Sequence, residues 1–142
     1  MRLVLDTTIL VAALRSGRGA SRQLLVGAME KRFVLLMSVP LMIEYESVLM
    51  RAEHREAAGL SSKEMLVILD AVAAVAEPVR LSFLWRPLLT DPNDDMVMET
   101  AANGQADYLA TFNRRDFAAA GLKLGCRVDL PGNILRELRR KP

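Results

Sequence analysis

Cysteine is nearly absent from this chain. One thiol, Cys126, occurs in 142 residues. That excludes an internal disulfide and a cysteine metal cluster, and it fits a reducing cytoplasm. The one histidine, His54, sits among charged residues and reads as a surface residue rather than a catalyst. No unbroken apolar stretch approaches the ~20 residues of a membrane span. The first apolar run meets an acid at Asp6, and Arg15 and Arg18 follow, the reverse of the order in a signal peptide. The expectation is therefore a soluble cytoplasmic protein with no membrane contact. Glycine-rich nucleotide fingerprints are missing too. The break at 15–21, RSGRGAS, matches neither G-x-G-x-x-G nor the P-loop. Internal repeats, low-complexity tracts and a domain boundary are likewise absent, so residues 1–142 read as one domain.

The composition is that of a folded chain. Hydrophobic residues make up 51%, too many for a disordered segment. The net charge of +2 and the pI near 9.0 permit a nucleic-acid partner without demanding one.

The first ten residues organise the rest. Arg2–Leu5 is an apolar run long enough for a buried strand and too short for a helix. Asp6 follows, then Thr7 and Thr8, which suit a helix start. Asp6 thus falls at the carboxyl end of a strand, the edge where open parallel sheets bind ligands.

Further on, the pattern predicts helices at 7–14 and 21–31 and a strand at 33–37. Ser38 caps a helix over 41–49, with Pro40 in its first turn. Ser61 and Glu64 form a capping-box signature before a helix at 65–76, apolar enough to pack on both sides. A short strand at 79–81, a helix at 96–103 stopped by Gly104, and a strand at 107–110 come next. A helix at 114–119, a strand at 126–128 and a terminal helix at 132–140 complete the chain. The order β-α-α-β-α-α-α-β-α-β-α-β-α predicts an α/β fold: a three-layer α/β/α sandwich around a mostly parallel sheet of four to five strands.

Oxygen-bearing side chains from four remote segments could share one edge of that sheet. Asp6 ends the first strand. Glu44 lies about two turns into the helix after the second strand, and Glu46, about 200° away around that helix, cannot face the same way. Asp95 opens the helix before the fourth strand, with Glu99 one turn on. Asn113 and Asp116 follow the fourth strand. Crowded carboxylates repel one another, and a hard divalent cation relieves the repulsion. Each residue also has a plain structural reading. Asp6 and Asn113 suit helix caps, Glu44 a solvated helix face, Asp91, Asp94 and Asp116 turn or first-turn acids, and Cys126 a core position.

Taken together, the set resembles the PIN-domain family, and more narrowly the PIN toxins of toxin–antitoxin systems. The resemblance rests on LVLDTT at 3–8, SVPLMIEYESVL at 38–49, WRP at 85–87, DPNDDMVME at 91–99 and ADYLATFNRRDF at 106–117. It implies a metal-dependent endoribonuclease that hydrolyses RNA phosphodiesters with Mg²⁺ or Mn²⁺. The family's acidic quartet falls on Asp6, Glu44, Asp95 and Asn113. Many relatives have Asp at the last position, and Asp116 could restore the charge that Asn113 lacks. The metal ligands implied are then Asp6, Glu44, Asp95 and Asp116. Thr7 and Thr111 match the family's hydroxyl positions and, with Arg15, Arg18 and Arg114, are the expected substrate contacts. Arg115 is a further candidate, whereas Arg22 reads better as a solvated residue. A homodimer and a small antitoxin partner are implied as well.

Other readings stay open. They are an RNA-processing nuclease without an antitoxin, and a PIN-fold RNA-binding protein with weak or no turnover. A receiver-like phosphoacceptor, with Lys123 as its late lysine, fits less well.

Overall fold

The computed structural model describes residues 1–82 and 92–140, and of residues 92 and 93 the backbone alone. The WRP stretch at 85–87 and Asp91 lie outside the described residues. The elements run β1 (Arg2–Leu5), α1 (Thr7–Arg15), α2 (Ala20–Met29), β2 (Val34–Met37), α3 (Val39–Leu49), α4 (Ala52–Ala58) and α5 (Ser62–Val75). β3 (Glu77–Pro78), α6 (Pro92–Asn103), β4 (Tyr108–Ala110), α7 (Arg114–Leu124), β5 (Arg127–Asp129) and α8 (Pro131–Arg140) follow.

Among the described residues, five strands form one parallel sheet in the order β3-β2-β1-β4-β5. The expectation of a mostly parallel sheet thus becomes a wholly parallel one. Leu3, Val4 and Leu5 of β1 are fully buried, as a central strand covered by helices on both faces requires. Chain order runs outward from β1 to β3 on one side, then crosses to β4 and β5 on the other. The reversal point lies between β1 and β4, and the carboxyl ends of the strands there are the edge at which open parallel sheets bind ligands. The register makes those ends level: Leu5 pairs with Ala110, and Ala110 with Asp129.

Local chemistry explains most element boundaries. Ser38 accepts the Leu41 N–H at 3.3 Å and caps α3. Ser61 and Glu64 complete the capping box of α5. Gly125 adopts φ 75° and ends α7 at Leu124, five residues beyond the expected end at residue 119. Gly104 works differently from the expected helix stop. Gln105, at φ 53°, takes the left-handed turn. Gly104 is needed because a Cβ there would lie 2.9 Å from the Thr100 carbonyl oxygen.

Two expectations are corrected, for the third strand and for the packing of α5, and the helix between α3 and α5 gains its bounds. The third strand is Glu77–Pro78 rather than 79–81. It pairs on one side with Leu36 and Met37, an edge position that tolerates proline. α4 has no buried residue, so no apolar stripe marks its bounds, and Gly59 at φ 72° closes it. α5 packs through one face only. Met65, Leu69 and Val72 are buried, while Leu66 and Val67 stay exposed because α2 and α3 cover a single side. Among the described residues, no helix is long and apolar enough to cross a membrane.

Candidate active site

Asp6 extends β1 by one residue, and its N–H donates to the Ala110 carbonyl at 3.0 Å. It occupies the cap position of α1, yet its side chain makes no capping bond to that helix. The carboxylate instead accepts two hydroxyls on Oδ2, Thr8 at 2.9 Å and Thr111 at 2.8 Å. It is only 6% exposed. Burial pushes its pKa above the ordinary carboxylate value, and the two threonine hydroxyls partly oppose that shift. A helix-capping role alone does not account for such a group.

A hydrogen bond couples Asp6 to the end of β4. Thr111 is fully buried, and its N–H continues the ladder to the Asp129 carbonyl at 3.0 Å. Its hydroxyl donates to Asp6 and accepts the Asn113 N–H at 3.0 Å. Asn113 heads α7 without a side-chain capping bond; its amide donates to Asp116 Oδ2. Asp6, Thr111, Asn113 and Asp116 are therefore one bonded chain, although 105 residues separate the first two. Thr111 was expected to touch substrate. Its hydroxyl is instead committed between Asp6 and Asn113, where it orients both.

The residue after Glu44 ties α3 to this region. Tyr45, fully buried on α3, donates its hydroxyl to the Leu5 carbonyl, one residue before Asp6. Burial holds this phenol protonated, and the Asp6 charge reinforces the effect, which places the two groups within electrostatic reach. Glu44 is half-buried and Glu46 exposed, as the helical angle between them requires. Tyr45 went unnoticed as a site residue in the sequence. The signal for it was its place one step from Glu44 on the buried face of α3.

Asp95 and Glu99 are 2% and 0% exposed, one helical turn apart on α6. This helix packs on β1, β4 and α3. Ser38 and Thr100 share a hydrogen bond of 2.7 Å, which fixes the start of α3 to α6. Thr7 is buried beside Asp6.

The arginines divide. Arg114 starts α7, next to Asn113, and lies 3.4 Å from Asp129. Arg15 is the last residue of α1, about 12 Å along the helix from Thr7 at a rise of 1.5 Å per residue. Its guanidinium lies 2.9 Å from His54 Nδ1. Arg18 follows in the break between α1 and α2 and is exposed. The structure thus separates Arg15 and Arg18 from Asp6 by the length of α1. Cys126 is buried, and burial followed by the Asp107 charge pushes its thiol up to about 11, which removes it as a nucleophile at neutral pH.

Among the described residues, no three Asp, Glu, His or Cys side chains gather closely enough to hold a metal ion as they stand. The donor chemistry still fits a hard cation. Asp6 is a buried carboxylate whose charged form is disfavoured, and a neighbouring cation is what would restore it.

Comparison with known proteins agrees with the fold. No curated relative and no solved structure matches the chain. The family model of the PIN domain matches residues 2–115, a span that includes Asp6, Glu44, Asp95 and Asn113 and ends one residue before Asp116. A parallel five-stranded sheet, an acid at its switch point and a family match over most of the sequence lead to one conclusion: the chain belongs to the PIN-domain family and has its nuclease-type fold.

Proposed function

We propose that this protein is a metal-dependent endoribonuclease and the toxin component of a toxin–antitoxin system. The observation that carries the reading is the Thr111 hydroxyl bridge. It holds the acid ending β1 and the residue opening α7 at the switch point of a nuclease-type sheet. Asp6, Glu44 and Asp95 would hold Mg²⁺ or Mn²⁺, with Asp116 as the fourth ligand and Asn113 a neutral member of the catalytic set. When bound, such an ion activates water and neutralises phosphate charge. The protein's own side chains do the rest. Thr8 and Thr111 fix the Asp6 carboxylate, Tyr45 holds the Glu44 helix against β1, and Arg114 stands beside Asn113 to meet a phosphate.

Arg15 and Arg18 contact the substrate farther along the strand in this reading, with Thr7 beside Asp6. Residues 1–142 act as one domain in the cytoplasm. A second copy of the chain covers α3 and α5, where Val39, Ile43 and Val67 are 73%, 62% and 63% exposed. The antitoxin is a small protein that blocks the Asp6 edge.

One observation favours a second reading, a PIN-fold RNA-binding or RNA-processing protein with weak or no turnover. The Asn113 amide is already engaged by Asp116 and adds no charge to the site.

Incubating pure protein with structured and unstructured RNA, with and without Mn²⁺, separates the two. Cleavage that needs Mn²⁺ and vanishes in Asp6→Asn and Glu44→Gln supports the nuclease. Activity unchanged from the wild type in both variants refutes the site. A small open reading frame immediately upstream supports the toxin role.

A further inference from the structure

Charge is distributed unevenly along this chain. Residues 15–32 and 127–140 hold nine of the nineteen Lys and Arg but three of the seventeen Asp and Glu, a net charge of +6. The remaining residues hold ten against fourteen, a net charge of −4. The fold gathers the positive segments, because α2 and α8 pack on each other. A groove of about 380 Å³ lies between them, lined by Arg22, Arg32 and Arg139 and by no carboxylate. A second recess of about 520 Å³ adjoins it, shares Arg32 and adds Arg127 and Met1. Met1, Tyr108 and Arg127 place this recess at the amino edge of the sheet, opposite Asp6.

The guanidiniums are only partly neutralised. Arg22 Nε donates to the Ala13 carbonyl, Arg139 to Gln23 Oε1 and Arg127 to the Tyr108 hydroxyl, all uncharged oxygens, and Arg127 also feels the carboxylates of Glu137 and Asp107. Arg32 pairs with Glu30, but the two side chains are 72% and 49% exposed, so the pair exchanges readily. The one acid of the second recess, Asp107, accepts the Arg2 N–H at 2.8 Å.

We infer that this face is a second contact for substrate: a track for the phosphates of a single RNA strand, remote from the Asp6 edge. The choice of RNA rests on the nuclease reading above. It also rests on form. The arginines extend across two adjoining recesses instead of closing on one pocket, and guanidinium forks match phosphate oxygens. The groove offers no exposed aromatic ring to stack a base, so the track reads backbone and not sequence. Its contribution is affinity for long RNA, with no effect on the bond-breaking step.

The test is binding in EDTA, followed by fluorescence anisotropy with fluorescein-labelled oligouridylates of about 6 and about 24 nucleotides. The wild-type protein should bind the longer strand about tenfold more tightly and with a steeper salt dependence. Arg32→Glu with Arg139→Glu should weaken binding of the long strand about tenfold and reduce the log–log salt slope by about 1.4, since each phosphate contact contributes about 0.7. Binding of the short strand should not change. Arg32→Gln with Arg139→Gln should lose less, and thermal melts of both variants check that they fold. Unchanged binding of the long strand by the folded charge-reversed variant overturns the proposal. Tighter binding of a polyglutamate peptide than of RNA also overturns it and assigns the face to an acidic protein. Mn²⁺-dependent cleavage of the short strand reports on the Asp6 site alone. If cleavage is absent while arginine-dependent binding persists, the nuclease reading fails and the track stands.

Discussion

Replacing Thr111 by Val removes one oxygen from the centre of the site and changes little else in shape. The Thr111 hydroxyl donates to the buried Asp6 carboxylate at 2.8 Å and accepts the Asn113 N–H at 3.0 Å. A hydrogen bond to a charged group contributes roughly 1.5–3 kcal/mol, and the N–H left without its acceptor costs about 1 kcal/mol more. The loss should be near 3 kcal/mol at neutral pH. For a chain of this length that lowers Tm by about 9 °C, at roughly 3 °C per kcal/mol. Thermal unfolding followed by circular dichroism in EDTA measures it, with Thr111→Ser as the variant that keeps the hydroxyl. Serine should recover most of the loss. The difference between Val and wild type should narrow in acid, where Asp6 is protonated and the bond loses its charge. It should also shrink in an Asp6→Asn background, because a neutral acceptor is worth less. A Val variant that melts within about 2 °C of wild type at every pH would refute the argument that this hydroxyl supports the carboxylate.

Three further outcomes are expected. Asp6 binds its proton more tightly folded than unfolded, so native protein carries more protons between the ordinary value of 3.8 and the raised one. Stability contributed by this group therefore falls as pH rises through that window. Asp6→Asn should remove this slope in EDTA and melt higher than wild type at neutral pH, while RNA cleavage is lost; a variant that melts lower at neutral pH would contradict the assignment of burial as the dominant effect. Tyr45→Phe should cost about 1–2 kcal/mol and weaken Mn²⁺ binding, since the Leu5 carbonyl loses its buried donor; calorimetry giving wild-type affinity would mean that α3 is positioned by packing alone. Gly121→Ala should destabilise by roughly 1–3 kcal/mol, because the new methyl group would lie 2.7 Å from the Cys126 carbonyl oxygen and 2.6 Å from Val128. Urea titration showing no change in midpoint would contradict that contact.

Much of this arrangement was legible in the sequence, and the reasons differ by residue. The alternation of strand and helix was plain because β1, β2 and β4 are short apolar runs that end in polar residues. Ser38 and the Ser61–Glu64 pair marked helix starts because capping is a local interaction. Boundaries set by tertiary contact were not visible. β3 exists because β2 has an open edge, so two residues including a proline qualify as a strand. α4 carries no apolar stripe, and the sequence pattern gives it no bounds. Gly104 looked like a stop signal, but the requirement is the space next to Thr100, which only the packed molecule reveals. At the site, Asp6 stood out because a strand ended on an acid. The bond from Thr111 to Asp6 was not visible, since no local pattern tells whether a hydroxyl faces solvent or a carboxylate 105 residues away. Arg15 and Arg18 were placed near the acids by their closeness in sequence, whereas α1 carries them to its far end.

The most direct test is calorimetric titration of Mn²⁺ into wild type, Asp6→Asn, Glu44→Gln and Asp95→Asn. Binding in the wild type that each substitution weakens at least tenfold, with every variant still folded, is what a shared ion among these remote acids predicts. Equal affinity in all four proteins, or no binding in any, would contradict it.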